Sequence, residues 1–201
     1  MLVDQVNLFW LGTEGLQEKE LISLVSPVDR AYASQFRDSD RRVRALASRA
    51  LRLWSLKSAA KRDFPTILEG RAGKPYVEDG PSFSCSSTLG VAAIALSQDG
   101  DVGLDIESRL RLTQLEMSEQ EFIDWTVREA VAKGTGRGLA LALEGLNQVD
   151  ASVFEVVGTG EMWTVQRPEL PDPWVASVAF KGEEVWELAV KEVRLSDLVS
   201  W

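Results

Sequence analysis

Helix-forming and strand-forming segments follow each other in the same order in both halves of this chain. In the first half, residues 38–60 form the longest segment with apolar side chains at helical spacing, and Asp38 or Ser39 can cap a helix there. In the second half, residues 125–133 predict a shorter helix. Segments with the apolar pattern of strands lie at 91–96, 102–106, 153–157, 162–165, 174–180 and 185–190.

This order predicts an α+β fold of two similar-sized lobes, each with helices packed on a small, mainly antiparallel sheet. We assign residues 1–100 to the first lobe and residues 101–201 to the second, because no low-complexity linker separates them. Turn residues also predict three hairpins between consecutive strands. These hairpins join 91–96 to 102–106 through Asp99-Gly100, 153–157 to 162–165, and 174–180 to 185–190.

The chain contains no histidine, and this absence restricts the chemistry that it can perform. Ser-His-Asp and Cys-His catalysis are excluded, and a zinc site becomes improbable. Catalysis would have to use carboxylates, lysine or arginine, with or without a hard cation that takes oxygen ligands. The formal net charge of −9 argues against a nucleic-acid partner, since such proteins need a dominant basic surface.

The sequence also predicts where the protein works. No apolar segment approaches the ~20 residues that a membrane-spanning helix needs, so we expect no membrane partner. The first residues lack a basic segment followed by an apolar one, so we expect no signal peptide. Cys85 is the single cysteine, which excludes an internal disulfide and fits a reducing compartment. These features predict a cytoplasmic protein.

Two acidic residues end the strand at 102–107. Alternate side chains of a strand share a face, so Asp105 and Glu107 point to one side while Leu104 and Ile106 point into the core. Two neighbouring carboxylates repel each other unless a cation lies between them, which makes this strand end a candidate magnesium site. An ordinary exposed strand face would have the same pattern, so the triplet alone does not decide between the two.

The helix at 125–133 carries a second candidate pattern. Trp125, Glu129 and Lys133 are spaced four residues apart and therefore lie along one stripe. A surface ion pair beside a core tryptophan would have the same spacing. A glycine-rich loop follows at 134–138, where backbone can approach a ligand closely. Neither the P-loop pattern nor the dinucleotide-binding glycine pattern is present.

The long helix carries a cluster of basic side chains in an otherwise acidic protein. A solvated helix face would explain the cluster, and so would an anion-binding surface. The cluster consists of Arg41, Arg42, Arg44, Arg49 and Arg52.

Taken together, these motifs resemble the 4′-phosphopantetheinyl transferases, and more closely the monomeric Sfp/Gsp type with two pseudo-symmetric lobes. The resemblance spans most of the chain, and it is the combination and order of the motifs that is specific. The motifs are the arginine-rich helix, Gly73-Lys74-Pro75, the hydroxyl-rich segment 83–88, Val102-Gly103-Leu104-Asp105-Ile106-Glu107, the helix and glycine loop at 125–139, and the segment 173–179.

The resemblance implies an Mg²⁺-dependent enzyme that moves phosphopantetheine from coenzyme A to a serine of an acyl or peptidyl carrier protein, releasing 3′,5′-ADP. It implies that Asp105, Glu107 and Glu129 hold Mg²⁺. Glu129 would be the base, and Lys133 would stabilise the leaving phosphate. The implied coenzyme A contacts are Arg42 or Arg44, Lys74, Ser86, Ser87, Asp105 and Lys133.

The chain departs from the family pattern at three points. At one of them Arg128 replaces the usual lysine and keeps the positive charge. Ser87 stands where the family has a phosphate-contacting histidine, and the segment 108–124 is shorter than is usual between the two acidic motifs. In the family this segment contributes to the carrier-protein surface. A non-catalytic relative that binds a carrier protein or another partner is therefore the alternative, and a different Mg²⁺-dependent nucleotide enzyme is a third hypothesis.

Overall fold

The computed structural model describes residues 4–60, 66–70, 73–138, 145–184 and 186–200. In chain order the elements are β1 (Asp4–Gly12), α1 (Glu18–Leu21), α2 (Pro27–Ala33), α3 (Ser39–Ala60), β2 (Ile67–Glu69), β3 (Pro75–Val77), β4 (Ser82–Thr88), β5 (Val91–Ser97), β6 (Val102–Ser108), α4 (Leu112–Leu115), α5 (Glu119–Thr135), β7 (Leu146–Gln148), β8 (Val153–Val156), β9 (Met162–Gln166), β10 (Trp174–Lys181), β11 (Trp186–Glu192) and α6 (Leu195–Val199). Short 3₁₀ helices lie at Ile22–Leu24 and Arg109–Arg111.

The α+β class is confirmed, because helices pack on two mainly antiparallel sheets. The first sheet has the strand order β11-β1-β5-β4, and the second has the order β6-β10-β9-β8-β7. Within them β1-β5-β4 and β6-β10-β9 share one arrangement, and α3 and α5 follow the first strand of each. The repeated order makes the two halves topologically similar. No helix in the described ranges is long and apolar enough to cross a membrane.

Two of the three predicted hairpins are wrong. β5 pairs with β1 and β4, and β6 pairs with β10 instead. Because β5 lies between β1 and β4, it has no free edge with which β6 could pair. Every residue of β5 is buried, as expected for a central strand. β10 likewise has β6 and β9 as neighbours, and Val185 of the predicted last strand lies outside the described residues. The hairpin of β8 and β9 is confirmed.

The last strand crosses back to the first lobe. β11 pairs in parallel with β1, with Trp186 opposite Asp4 and Glu192 opposite Trp10. The predicted boundary at 100/101 therefore separates strands of one sheet, and residues 186–192 belong to the first sheet. Burial favours this pairing, since the Trp186 side chain is only 2% exposed among apolar residues of both lobes.

Serine hydroxyls join the two sheets where β4 runs beside β6. Ser82 Oγ accepts a hydrogen bond from the amide of Val102 at 3.2 Å, and Ser84 Oγ accepts one from the amide of Leu104 at 3.0 Å. Ser84 is 5% exposed, so this bond satisfies buried groups on both strands. The hydroxyl-rich segment thus takes the place of backbone pairing at the lobe junction.

Helix α5 lies unusually close to β6 at two glycines. A Cβ atom on Gly103 would overlap the carbonyl oxygen of Ala130 and would lie 2.6 Å from the amide nitrogen of Gly134. A Cβ atom on Gly134 would overlap the indole ring of Trp163. This close approach sets the distance between the acidic strand β6 and the side chains that α5 presents to it.

Candidate active site

The acidic strand end and the stripe of α5 meet in one cavity of about 490 Å³ beside the lobe junction. It contains every predicted catalytic and metal-binding residue and four of the predicted coenzyme A contacts. The predicted residues that line it are Ser86, Ser87, Asp105, Glu107, Glu129 and Lys133. Trp125 also lines the cavity, so the whole predicted stripe of α5 faces it.

Asp105 is the most buried acid of the cavity, at 3% exposure. Its Oδ1 accepts hydrogen bonds from Lys133 Nζ at 2.5 Å and from Ser86 Oγ at 3.0 Å. Lys133 Nζ also donates to Ser86 Oγ at 3.0 Å, so the three side chains form a closed triangle. Burial raises the pKa of Asp105, the charge of Lys133 opposes this, and the charge of Glu107 adds to it.

Two carboxylate oxygens of the cavity are buried without a hydrogen-bond partner, Asp105 Oδ2 and Glu129 Oε1. Burial raises the pKa of Glu129, and although Lys133 lowers it, the charges of Asp105 and Glu107 raise it further. Unpartnered carboxylate oxygens in a desolvated site are costly, and a cation is one partner that can satisfy them. The donor set therefore fits the hard cation Mg²⁺.

The third predicted metal ligand, Glu107, is bound by the protein itself. Arg111 Nη1 donates to both of its oxygens, at 2.8 and 2.7 Å, and Thr88 Oγ1 donates to Oε2 at 2.9 Å. Within the described part of the chain, no three acidic or cysteine side chains stand together as a metal-binding group. Lys133 and Arg111 occupy oxygens that a metal would use, so the magnesium site stays a prediction.

The basic cluster of α3 separates into two groups. Arg42 pairs with Glu18 at 2.6 Å and donates to the carbonyls of Phe36 and Arg37, so it anchors the loop before α3. Arg44 instead lines a cavity of about 200 Å³ that also contains Ser87. Of the two predicted nucleotide contacts on this helix, the structure brings Arg44 towards the acidic cavity and Arg42 away from it.

Like charges crowd the cavity of Arg44. Arg41 and Arg49 line it together with the hydroxyls of Ser48 and Ser87. Burial and the charges of Arg41 and Arg111 lower the pKa of Arg44, while Asp38 and Glu107 oppose this. Guanidinium groups that converge with hydroxyl donors form a suitable site for a phosphate.

Lys74 lies apart from both cavities. Its Nζ donates to the carbonyl of Gly134 at 2.5 Å and to that of Val102 at 3.5 Å, and lies 3.8 Å from a carboxylate oxygen of Asp101. Burial lowers the pKa of Lys74, and Asp101 opposes the shift. This lysine connects the residue before β3 to β6 and to the last turn of α5, and its contact with a phosphate stays a prediction.

A further cavity, of about 850 Å³, lies between α2, α3 and the β2–β3 hairpin. Its two arginines belong to the predicted basic cluster, but the sequence assigned no contact to either. Arg49 and Arg52 both pair there with Asp29, at 3.0 and 3.1 Å. The guanidinium of Arg49 also lies 4.0 Å from the ring centre of Tyr32. The three-residue spacing of Arg49 and Arg52 predicts that they share one face of α3, but it does not identify their common partner, Asp29, on another helix.

The three cavities follow each other along the inner side of α3 and β4. The 850 Å³ cavity shares Ser48 and Arg49 with the 200 Å³ cavity of Arg44, called the arginine cavity below. The arginine cavity in turn shares Ser87 with the 490 Å³ cavity of the carboxylates, the acidic cavity. A long anionic molecule could therefore contact arginines at one end and the carboxylate–lysine group at the other.

A scan of protein-family models and a search of curated proteins found no match to this chain.

The raised pKa of Glu129 predicts how its replacement changes stability. Burial favours the neutral form of Glu129, so its pKa is higher in the folded protein than in the unfolded chain. This difference stabilises the fold fully below the unfolded pKa of about 4.3, and the stabilisation is lost as the pH rises through the folded pKa. We expect metal-free Glu129→Gln to melt at a higher temperature than wild type at pH 7, with the difference shrinking towards pH 4. Thermal melts across this range measure it, with Asp124→Asn on the same helix as the control. A lower Tm for Glu129→Gln at pH 7 would contradict the prediction.

Proposed function

We propose that this protein transfers the 4′-phosphopantetheine arm of coenzyme A to a serine of an acyl or peptidyl carrier protein and releases 3′,5′-ADP. The observation that carries the proposal is the junction of the acidic cavity with the arginine cavity at Ser87. A pyrophosphate linked to a nucleotide phosphate needs a cation-binding carboxylate group beside a cluster of guanidinium groups. The order of the sequence motifs supports the same reaction.

Coenzyme A would lie along the three cavities. The nucleotide phosphates would contact Arg44 and Ser87, with Arg49 extending the basic surface towards the 850 Å³ cavity. The pyrophosphate would lie between these arginines and the carboxylates. Arg44 is therefore the better candidate of the two predicted arginines, because Arg42 is held by Glu18.

Asp105 and Glu129 would hold Mg²⁺ through their unpartnered oxygens, and Glu107 would join them after releasing Arg111. The bound metal would neutralise charge on the phosphoryl oxygens during transfer. Glu129 would accept the proton of the carrier serine, directly or through a water. The serine oxygen then forms a new bond to the β-phosphorus, the bond from that phosphorus to the bridging oxygen breaks, and 3′,5′-ADP leaves.

Lys133 would bind the leaving phosphate. Its Nζ contacts Asp105 and Ser86 and lies on the same face of α5 as Glu129. A lysine that can exchange a carboxylate for a phosphate oxygen stabilises the charge that develops when the P–O bond breaks. We propose that the enzyme acts as a cytoplasmic monomer.

The test is incubation with coenzyme A, Mg²⁺ and a panel of apo-carrier proteins, read by intact mass. We expect at least one carrier to gain one phosphopantetheine, and we expect EDTA to prevent the gain. Free 3′,5′-ADP should appear in equal amount. Unchanged mass for every carrier, with active control transferase loading the same panel, would contradict the proposal.

A second candidate is a partner-binding protein without transferase activity. The observation that favours it is the occupation of the acidic site by the protein's own cations, Lys133 on Asp105 and Arg111 on Glu107. Calorimetric titration of coenzyme A with and without Mg²⁺ separates the two candidates. Tight binding that requires Mg²⁺ favours the transferase, whereas no binding favours the alternative.

Arg44 and Arg42 offer a matched pair of variants for the nucleotide end of the site. We expect Arg44→Gln to weaken coenzyme A binding about 10-fold or more, because one charge-assisted contact contributes roughly 1.5–3 kcal/mol. Arg42→Gln should leave the affinity within about twofold, since its guanidinium contacts Glu18 and two backbone carbonyls. Calorimetry at saturating Mg²⁺ measures both. An equal loss in the two variants would mean that the arginine cavity is not the phosphate site.

A further inference from the structure

Arg111 lines the acidic cavity, which meets the cavity of Arg44 at Ser87. It ends the 3₁₀ helix Arg109–Arg111, inside the segment between the two acidic motifs. Its Nη1 bridges both oxygens of Glu107. Its charge is also one of those that lower the pKa of Arg44 on the other lobe. Arg111 thus touches a predicted metal ligand and lies near a predicted phosphate ligand.

The contact between Arg111 and Glu107 competes with metal binding. While one guanidinium nitrogen holds both carboxylate oxygens, a divalent cation at Glu107 has to compete with the positive charge of Arg111. The contact is not deeply buried, because the Arg111 side chain is 37% exposed and the Glu107 side chain 16%. The guanidinium end of the pair reaches solvent, so Arg111 can exchange Glu107 for another anion that enters the cavity.

We infer that Arg111 is a positioning residue that exchanges partners during substrate binding. It neutralises Glu107 in the ligand-free protein and moves to a phosphate oxygen of coenzyme A when Mg²⁺ takes Glu107. The inference rests on the proposed function for the identity of the ligand. In this scheme Arg111 pairs with Glu107 only while the ligand is absent, because a phosphate oxygen of the ligand then replaces Glu107 as the partner of Arg111.

The exchange predicts shifts of opposite sign in one variant. Arg111→Gln should bind Mg²⁺ alone about 2–5-fold more tightly, because the competing ion pair is gone. The same variant should bind coenzyme A about 10-fold or more weakly at saturating Mg²⁺, because a charge-assisted phosphate contact is lost. A purely structural role would weaken both bindings together.

Calorimetry with Mg²⁺ alone, and then with coenzyme A at saturating Mg²⁺, measures both quantities on the full chain. The control is Arg109→Gln, two residues away, whose guanidinium pairs with Glu119 and Asp172 at 2.8 Å each. It should change neither affinity.

Opposite shifts in Arg111→Gln support the exchange. Shifts in the same direction, unchanged affinities, or a wild-type protein that binds no Mg²⁺ would overturn it. No carrier protein enters the measurement, so its result is independent of transfer. Opposite shifts without any carrier loading would contradict the proposed reaction alone, while loading without the shifts would contradict only the role of Arg111.

Discussion

Glu129→Gln is expected to lower the rate of phosphopantetheine transfer at least ~100-fold, the usual loss when a general base is removed. Glutamine keeps the size of the side chain but cannot accept the proton of the carrier serine. It also removes the negative charge of a side chain whose carboxylate has an unpartnered oxygen suited to Mg²⁺. Rates of carrier loading measured by intact mass at saturating coenzyme A and Mg²⁺ test the expectation.

Stability separates this effect from unfolding. Because burial raises the pKa of Glu129, the variant should fold at least as stably as wild type at neutral pH. Asp124→Asn makes the same carboxylate-to-amide change at an exposed position of α5 and should load carrier at the wild-type rate. Equal loading by Glu129→Gln and wild type would show that another group takes the proton.

Gly103→Ala is expected to destabilise the fold by about 3 kcal/mol or more, because an added methyl group would overlap the backbone of α5. For a chain of this size the loss corresponds to a decrease of roughly 6–12 °C in Tm. Backbone atoms of Ala130 and Gly134 cannot rotate away as a flexible side chain would. The helix must therefore move away from β6 or unfold locally.

The same substitution should also damage the site. Asp105 lies on β6 and Lys133 on α5, so a wider separation of these elements breaks their ion pair. Gly12→Ala is the matched control, since a Cβ atom there would meet nothing within 4 Å and should change stability by less than about 0.5 kcal/mol. Thermal and denaturant melts of both variants measure the difference. A Tm for Gly103→Ala within the error of wild type would contradict the close packing of α5 on β6.

Local periodicity predicted the parts of the fold and site that depend on a single element. Alternation along β6 correctly put Asp105 and Glu107 on the face opposite Leu104 and Ile106, and helical spacing correctly put Glu129 and Lys133 on one stripe. The long helix at 38–60 is confirmed as α3. These features follow from the geometry of one strand or one helix, which is encoded within a few residues.

The sequence did not predict which helices, strands and side chains become neighbours in the folded protein. Turn residues indicated a hairpin between β5 and β6, but hydrophobic burial placed β5 between β1 and β4. The motif lysine Lys74 reaches backbone carbonyls of the other lobe, and Arg111 reaches Glu107. Long cationic side chains can reach several partners, so only the packing of the two lobes decides which one each binds.

The sequence by itself determined the α+β class of the fold. It also determined that Asp105 and Glu107 share one face of β6, and that Glu129 and Lys133 share one face of α5. Only the tertiary structure decided that those two faces share one cavity, that Ser84 and Ser86 bridge the lobes, and that arginines continue the cavity along α3. The physical reason is that side-chain direction is a local property of backbone geometry, whereas contact between distant segments depends on how the whole chain buries its apolar surface.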